Sequence, residues 1–223
     1  MLASAIAGLA VAFGALTAQA ADMPRAPLSA ADRAINACAE GYTNFGICAS
    51  VFAVGDVACV YGEINRDMAA SFKGVDMGVI ETVVVQSPGG SVASALDMAE
   101  HMGLFQKTLV VDGLCASSCA NYLFLAARCK IVPDGAMLGW HGAPPRPEGW
   151  IAPVGMTSTA AQFMGDTIIR AADFFRRIGV ADRVARETSE GYEIDRPAPD
   201  QFWSHSYFDL VSRYGVKGIL YMR

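Results

Sequence analysis

Along this chain the apolar residues fall into two patterns. Some form short unbroken runs, and others recur at helical spacing. Val57 to Tyr61, Glu81 to Val85, Thr108-Leu109-Val110-Val111, Lys130-Ile131-Val132 and Met137-Leu138-Gly139-Trp140 are runs of strand length rich in β-branched residues. They lack polar alternation, which predicts strands covered on both faces. Between them, Asp67 to Phe72 has helical character, and Ala93 to Met102 places Ala95, Leu96, Ala99 and Met102 on one helical face. Ser118 to Ala127 is largely apolar, so it predicts a buried helix. Thr159 to Ile178 predicts a long helix with Phe163, Ile168, Ala171, Ala172 and Phe175 on its apolar side, and a shorter one is expected over Ala181 to Ser189. Gly142 to Gly155 is rich in proline and glycine and predicts a loop long enough to serve a function. Phe202 to Val216 mixes aromatic residues with Tyr214-Gly215-Val216, a helix stop before a last strand. Strand and helix alternate without an internal repeat, which predicts an α/β fold with a largely parallel sheet.

Composition narrows the possibilities. With 223 residues, 53% of them hydrophobic and 17% charged, the chain can bury one full core. A net charge of −5 and the lack of any Lys/Arg run argue against a nucleic-acid partner. Met1 to Ala20 is apolar and uncharged and ends in Ala18-Gln19-Ala20, the small-residue pattern that a signal peptidase accepts. The reading is a signal peptide over 1–20, although the basic start typical of one is missing. A retained membrane anchor is the alternative. Met23 to Ala31, with two prolines, predicts a flexible mature start, so 21–53 is expected as a leader segment and 54–223 as the folded domain. Export places the chain in the periplasm or outside the cell. There the even set Cys38, Cys48, Cys59, Cys115, Cys119 and Cys129 favours disulfides. Cys38 with Cys48 is the simplest local pair, and Cys115 with Cys119, four apart, would share one helix face. Structural zinc would need a second ligand pair that His141 alone does not supply, so no metal is expected.

Three features carry chemistry. Ser87-Pro88-Gly89-Gly90-Ser91-Val92 is a glycine turn between strand and helix whose amides can approach a developing anion. Ser117 and Ser118 stand where a strand gives way to a helix, a position that favours an incipient negative charge. His141, one of three histidines, follows an apolar strand and suits a general base. Each has an ordinary structural explanation: a connecting turn, a capping serine, a histidine bonded at a strand end. Their order along the chain favours catalysis.

That order, with Gly62-Glu63-Ile64, the small-residue entry at Ala116 to Cys119 and Pro133 to His141, resembles the Clp protease proteolytic subunit and its crotonase-like relatives over roughly Val57 to Gly142. The resemblance implies a ClpP/crotonase-like fold of repeated ββα units and a Ser-His-Asp triad. It also implies an oxyanion hole made by the glycine turn and by the residue after the nucleophile. Spacing from Gly113 favours Ser117 as the nucleophile, and the downstream pattern Tyr122-Leu123 and Ala126-Ala127 favours Ser118, which is narrowly the expected nucleophile. Gly90, in the turn with Gly89, and Cys119 would supply the amides, and His141 would be the base. Asp200, in Asp200-Gln201-Phe202-Trp203-Ser204 ahead of Tyr214-Gly215, is the expected acid, with Asp195 and Asp209 as alternatives.

The chain departs from the family in the cysteines beside the serine and in the proline-rich loop after the histidine. The function implied is an exported serine peptidase acting on peptides or proteins without cofactor or metal, assembled as a homo-oligomer. Export separates it from a cytosolic unfoldase, so no unfoldase partner is expected. The alternatives are a catalytically inactive Clp-like binding or assembly protein and a crotonase-type acyl-CoA enzyme, the latter opposed by the signal peptide and the six cysteines.

Overall fold

A computed structural model of the chain describes residues 29–45, 50–194 and 201–222. Seven strands form one sheet: β1 (Val51–Val54), β2 (Val57–Tyr61), β3 (Thr82–Ser87), β4 (Thr108–Ala116), β5 (Cys129–Val132), β6 (Met137–Gly139) and β7 (Ile219–Tyr221). Their order is β1-β2-β3-β4-β5-β7, with β6 also on β4. Only β1 and β2 pair antiparallel, so the architecture is mixed α/β with a largely parallel sheet, as the pattern predicted.

The unbroken apolar runs have a direct cause. Ala58, Val60, Val83, Val85, Leu109 and Val111 join a large core on one face of the sheet. Val57, Cys59, Val84 and Val110 join a smaller one on the other. The large core is closed by α2 (Arg66–Lys73), α3 (Val92–Leu104) and α4 (Ser158–Ile178), and the small one by α1 (Ala30–Phe45). Each helix start satisfies one of its own free amides through a side chain: Asn65 accepts from Met68 N, Ser91 from Ser94 N and Thr157 from Ala160 N. Gly179 ends α4 in the left-handed conformation, at φ 68°. Arg170 on α4 bonds both Asp97 and Glu100 of α3, and Lys73 of α2 reaches Asp97. Burial pushes both carboxyls up, but Arg170, with Lys73 on Asp97 and with Arg177 on Glu100, outweighs it and holds them below the ordinary carboxylate range.

Several expectations need correction. The described part of the 21–53 segment holds α1 and all but the last residue of β1, and both pack against β2. Ala31, Ala34 and Cys38 repeat at helical spacing and bury against the sheet. Cys38 is bridged to Cys59 of β2, not to Cys48, because α1 lies directly over that strand. Cys115 and Cys119 are bridged, but across a strand-to-helix junction rather than along one helix face. The helix expected over Ala181 to Ser189 is only a 3-10 turn over Asp182–Ala185. The chain then reverses at Gly191, φ 91°, and pairs Glu187 with Glu193. The region read as a buried helix from Ser118 is buried, but its core, Cys119–Phe124, is π-helical. The expected signal peptide, Cys48, Asp195 and Asp200 lie outside the described residues. Among the described residues, no helix is long and apolar enough to cross a membrane, and no group of His, Cys, Asp and Glu could hold a metal ion.

Candidate active site

β4 changes partner halfway along. Thr108, Leu109 and Val110 pair with β5, and Leu114, Cys115 and Ala116 pair with β6. The register against β3 passes from Val85↔Val111 to Ser87↔Cys115, so extra β4 residues bulge around Gly113, at φ 75°. The bulge delivers the end of β4 beside the glycine turn that follows β3.

That turn is fixed by its backbone. Ile64 N donates to Gly89 O at 2.7 Å, Ser91 N donates to Ile64 O at 2.8 Å, and Gly89 N donates to Ser87 Oγ at 3.1 Å. Gly90 lies between the two Ile64 bonds at φ 143°, and a Cβ there would come 2.2 Å from Ile64 O. A Cβ on Gly89 would meet Ala116 O at 2.6 Å, Ser117 Cβ at 2.7 Å and Ser118 N at 2.8 Å. Both positions require glycine, because the turn is pressed against β2's exit on one side and the serine pair on the other.

The two serines differ. Ser118 is buried, 3% exposed, and its hydroxyl donates to Gly90 O at 2.9 Å. Ser117 is half-buried and sits at φ 51°, one of two non-glycine residues with positive φ among those described. A side chain in this left-handed region costs about 1–2 kcal/mol. The surroundings impose it: Ser117 N donates to Gly139 O at 2.7 Å, Asn121 N donates to Ser117 O at 2.8 Å, and the Cys115–Cys119 bridge spans the elbow. These hydrogen bonds leave the Gly90 and Ser118 amides unused among the described residues.

His141 follows β6 and shares a cavity of about 270 Å³ with Gly90, Val92, Ser117, Ser118, Asn121, Gly142, Ala143 and Pro144. Its ring packs on Phe202, centroids 4.9 Å apart. Trp140, just before it, exchanges backbone bonds with Trp203 at 2.7 and 3.0 Å, which ties the histidine to the C-terminal segment. On the far side the loop over 143–149 is held by Arg186, whose guanidinium donates to Pro144 O at 2.5 Å and pairs with Asp182 at 3.0 Å. Arg146 pairs with Asp182 and Glu193.

The fold therefore brings Ser117, Ser118, His141 and Gly90 around one cavity, with Gly89 packed behind the serines. Cys119 is fully buried and bridged. Asp209 is spent on the surface, where its carboxylate accepts from Ser206 Oγ at 2.6 Å. Asn121 was not singled out by sequence. Its position four residues after Ser117, on the otherwise apolar stretch Ala120 to Ala127, was the available signal.

His205 is buried between Trp140 and Tyr214, with Nε2 2.8 Å from Val184 O. Burial pulls its pKa below the ordinary histidine value.

No family model and no curated protein matches the chain. Among solved structures it is similar to a mutant of ClpP1 from Listeria monocytogenes, at 18% identity and a TM-score of 0.47, over 75% of this chain and 92% of that one.

Proposed function

We propose that the protein is a serine hydrolase of the Clp-like type that cleaves peptides by acyl transfer, with Ser117 as nucleophile and His141 as base. The observation that carries this reading is the backbone of Ser117. A serine held in a costly conformation at a strand-to-helix elbow, beside a cavity that a histidine also lines, is strain suited to exposing a hydroxyl. Ser118, favoured by the downstream pattern, is instead buried and bonded to Gly90 O, which supports a stapling role. With Ser117 attacking, the residue after it is Ser118, so the oxyanion amides are those of Gly90 and Ser118, and Cys119 leaves the set.

On this reading Ser117 Oγ bonds to the substrate carbonyl carbon while its proton passes to His141. The oxyanion rests on the two amides, and His141 then protonates the leaving amine as the C–N bond breaks. Water repeats the sequence on the acyl-enzyme and frees Ser117. Asp200 would orient the imidazole. No step requires a metal or organic cofactor. We place the protein in the periplasm or outside the cell, since the two disulfides suit an oxidising compartment, with a peptide or protein substrate, no unfoldase and a homo-oligomeric state.

The test is labelling with a fluorophosphonate probe. Wild type and Ser118→Ala should be labelled, and Ser117→Ala and His141→Ala should not. Wild type that folds with both disulfides but takes no label would favour a Clp-like binding or assembly protein. Label lost in Ser118→Ala but kept in Ser117→Ala would return the nucleophile to Ser118.

A further inference from the structure

We infer that Asn121 is a positioning residue that sets the separation between Ser117 and His141. This inference rests on the serine-hydrolase reading above. Asn121 is bonded to both halves of the site: its main-chain N–H donates to Ser117 O at 2.8 Å, and its side-chain Nδ2 donates to Gly142 O, next to His141, at 2.6 Å. It borders the same cavity as both residues and is 3% exposed.

A polar side chain in an apolar helix needs an explanation. Its neighbours Ala120, Tyr122, Leu123 and Phe124 are fully buried and belong to the large core. The amide places one hydrogen bond well and leaves its Oδ1 buried with no partner among the described residues. An unsatisfied buried acceptor is costly, and a leucine would fill similar volume without that cost. The amide is therefore retained for the bond it makes. That bond is short and reaches the residue after the base, and the helix carrying it begins at the nucleophile. Without it, the link between the two reacting residues runs through Ser117 N to Gly139 O, on the other side of the histidine. Asn121 fixes the Gly142 side, so the His141 peptide is held at both ends. A displacement of about 1 Å between reacting groups can cost on the order of 100-fold in rate.

The carboxyl variant gives a readout that a purely structural role would not move. In Asn121→Asp only the protonated acid can donate to Gly142 O, and the ionised acid repels it. His141 lines the same cavity and is present in both proteins, so the ratio of variant to wild type is followed rather than either pH profile alone. Among the described residues the other charged group near the cavity wall, Arg186, is engaged by the Ala143 and Pro144 carbonyls, and both it and the proposed acid Asp200 are common to the two proteins. Full-length oxidised protein is labelled with the fluorophosphonate probe between pH 5 and 9, and kcat and KM are measured on a small activated ester. Asn121→Ala should lose on the order of 100-fold in labelling rate and kcat at every pH, with KM within about threefold. The Asn121→Asp to wild-type ratio should fall at least tenfold as pH rises. Labelled wild type with an Asn121→Asp ratio that stays near one across the range would overturn the inference, even if Asn121→Ala fails to fold. Unlabelled wild type would overturn the hydrolase reading and this inference together.

Discussion

The two sides of the cavity are built by different means. The serine side is backbone and covalent bond: two glycines that admit no Cβ, a bulged strand, a strained serine and a disulfide across the elbow. On the histidine side one backbone bridge, Trp140 to Trp203, is followed by a proline-rich loop held by the side chains of Arg186 and Arg146. Backbone constraints act almost as all or none, since nothing can relax around a carbonyl 2.2 Å from a new methyl group. Partly exposed ion pairs act in small steps that salt can screen. The site thus joins a rigid half to a tunable one.

The sharpest way to break the comparison is Gly90→Ala. It should cost more than about 3 kcal/mol, through left-handed strain and the clash with Ile64 O, and should abolish labelling. Denaturant unfolding checks it, and a soluble, active variant would show that the turn can move. Next, Cys115→Ser with Cys119→Ser should lose about 2 kcal/mol, less than the roughly 3 kcal/mol expected when Cys38 and Cys59 are replaced, because the loop it closes is shorter. The smaller loss should nevertheless cost more labelling, since only this bridge spans the elbow. On the histidine side, Arg186→Ala should cost about 1.5 kcal/mol and lower the labelling rate without abolishing it. The remaining loop contacts through Arg146 should weaken further as salt is raised.

Ser117→Gly should move the other way, stabilising the fold by about 1 kcal/mol in thermal unfolding while removing all activity, because glycine tolerates φ 51° freely. The smallest effect concerns His205. Its pKa is depressed in the folded state, so the unfolded chain binds the proton more readily. Stability should therefore fall as pH drops through the ordinary histidine value near 6.5. His205→Gln should flatten that acid limb, and an unchanged limb would assign it to other groups.

Much of the rigid half was legible in the sequence. The β-branched runs predicted strands covered on both faces, and Val84 and Val85 do face opposite cores. The glycine turn and the serine pair were read at their true positions, because glycine before a helix and small residues at a junction are local signals. What sequence did not show depends on contacts between distant segments. Choosing between Ser117 and Ser118 required knowing which backbone is left-handed and which hydroxyl reaches Gly90. The partner of Cys38 depended on α1 crossing over β2. α1 itself was missed although Ala31, Ala34 and Cys38 carry helical spacing, because two prolines just upstream and Gly41 within it read as a leader. The short turn at Asp182–Ala185 replaces a helix because Gly191 sends the chain back toward Glu187.

The bulge in β4 around Gly113 has a consequence for how such a chain can evolve. Side chains along a strand alternate between faces, so the number of residues in the bulge sets the phase of everything after it. Deleting or adding one residue between Val111 and Cys115 would turn the elbow by half a period. The Ser117 side chain would leave the cavity, and the cysteine that reaches Cys119 would point to the opposite core. The loop after His141 carries no such phase and is free to vary in length. On the hydrolase reading, substrate preference can therefore drift at the loop, while the bulge fixes the length of β4 for as long as the elbow is used.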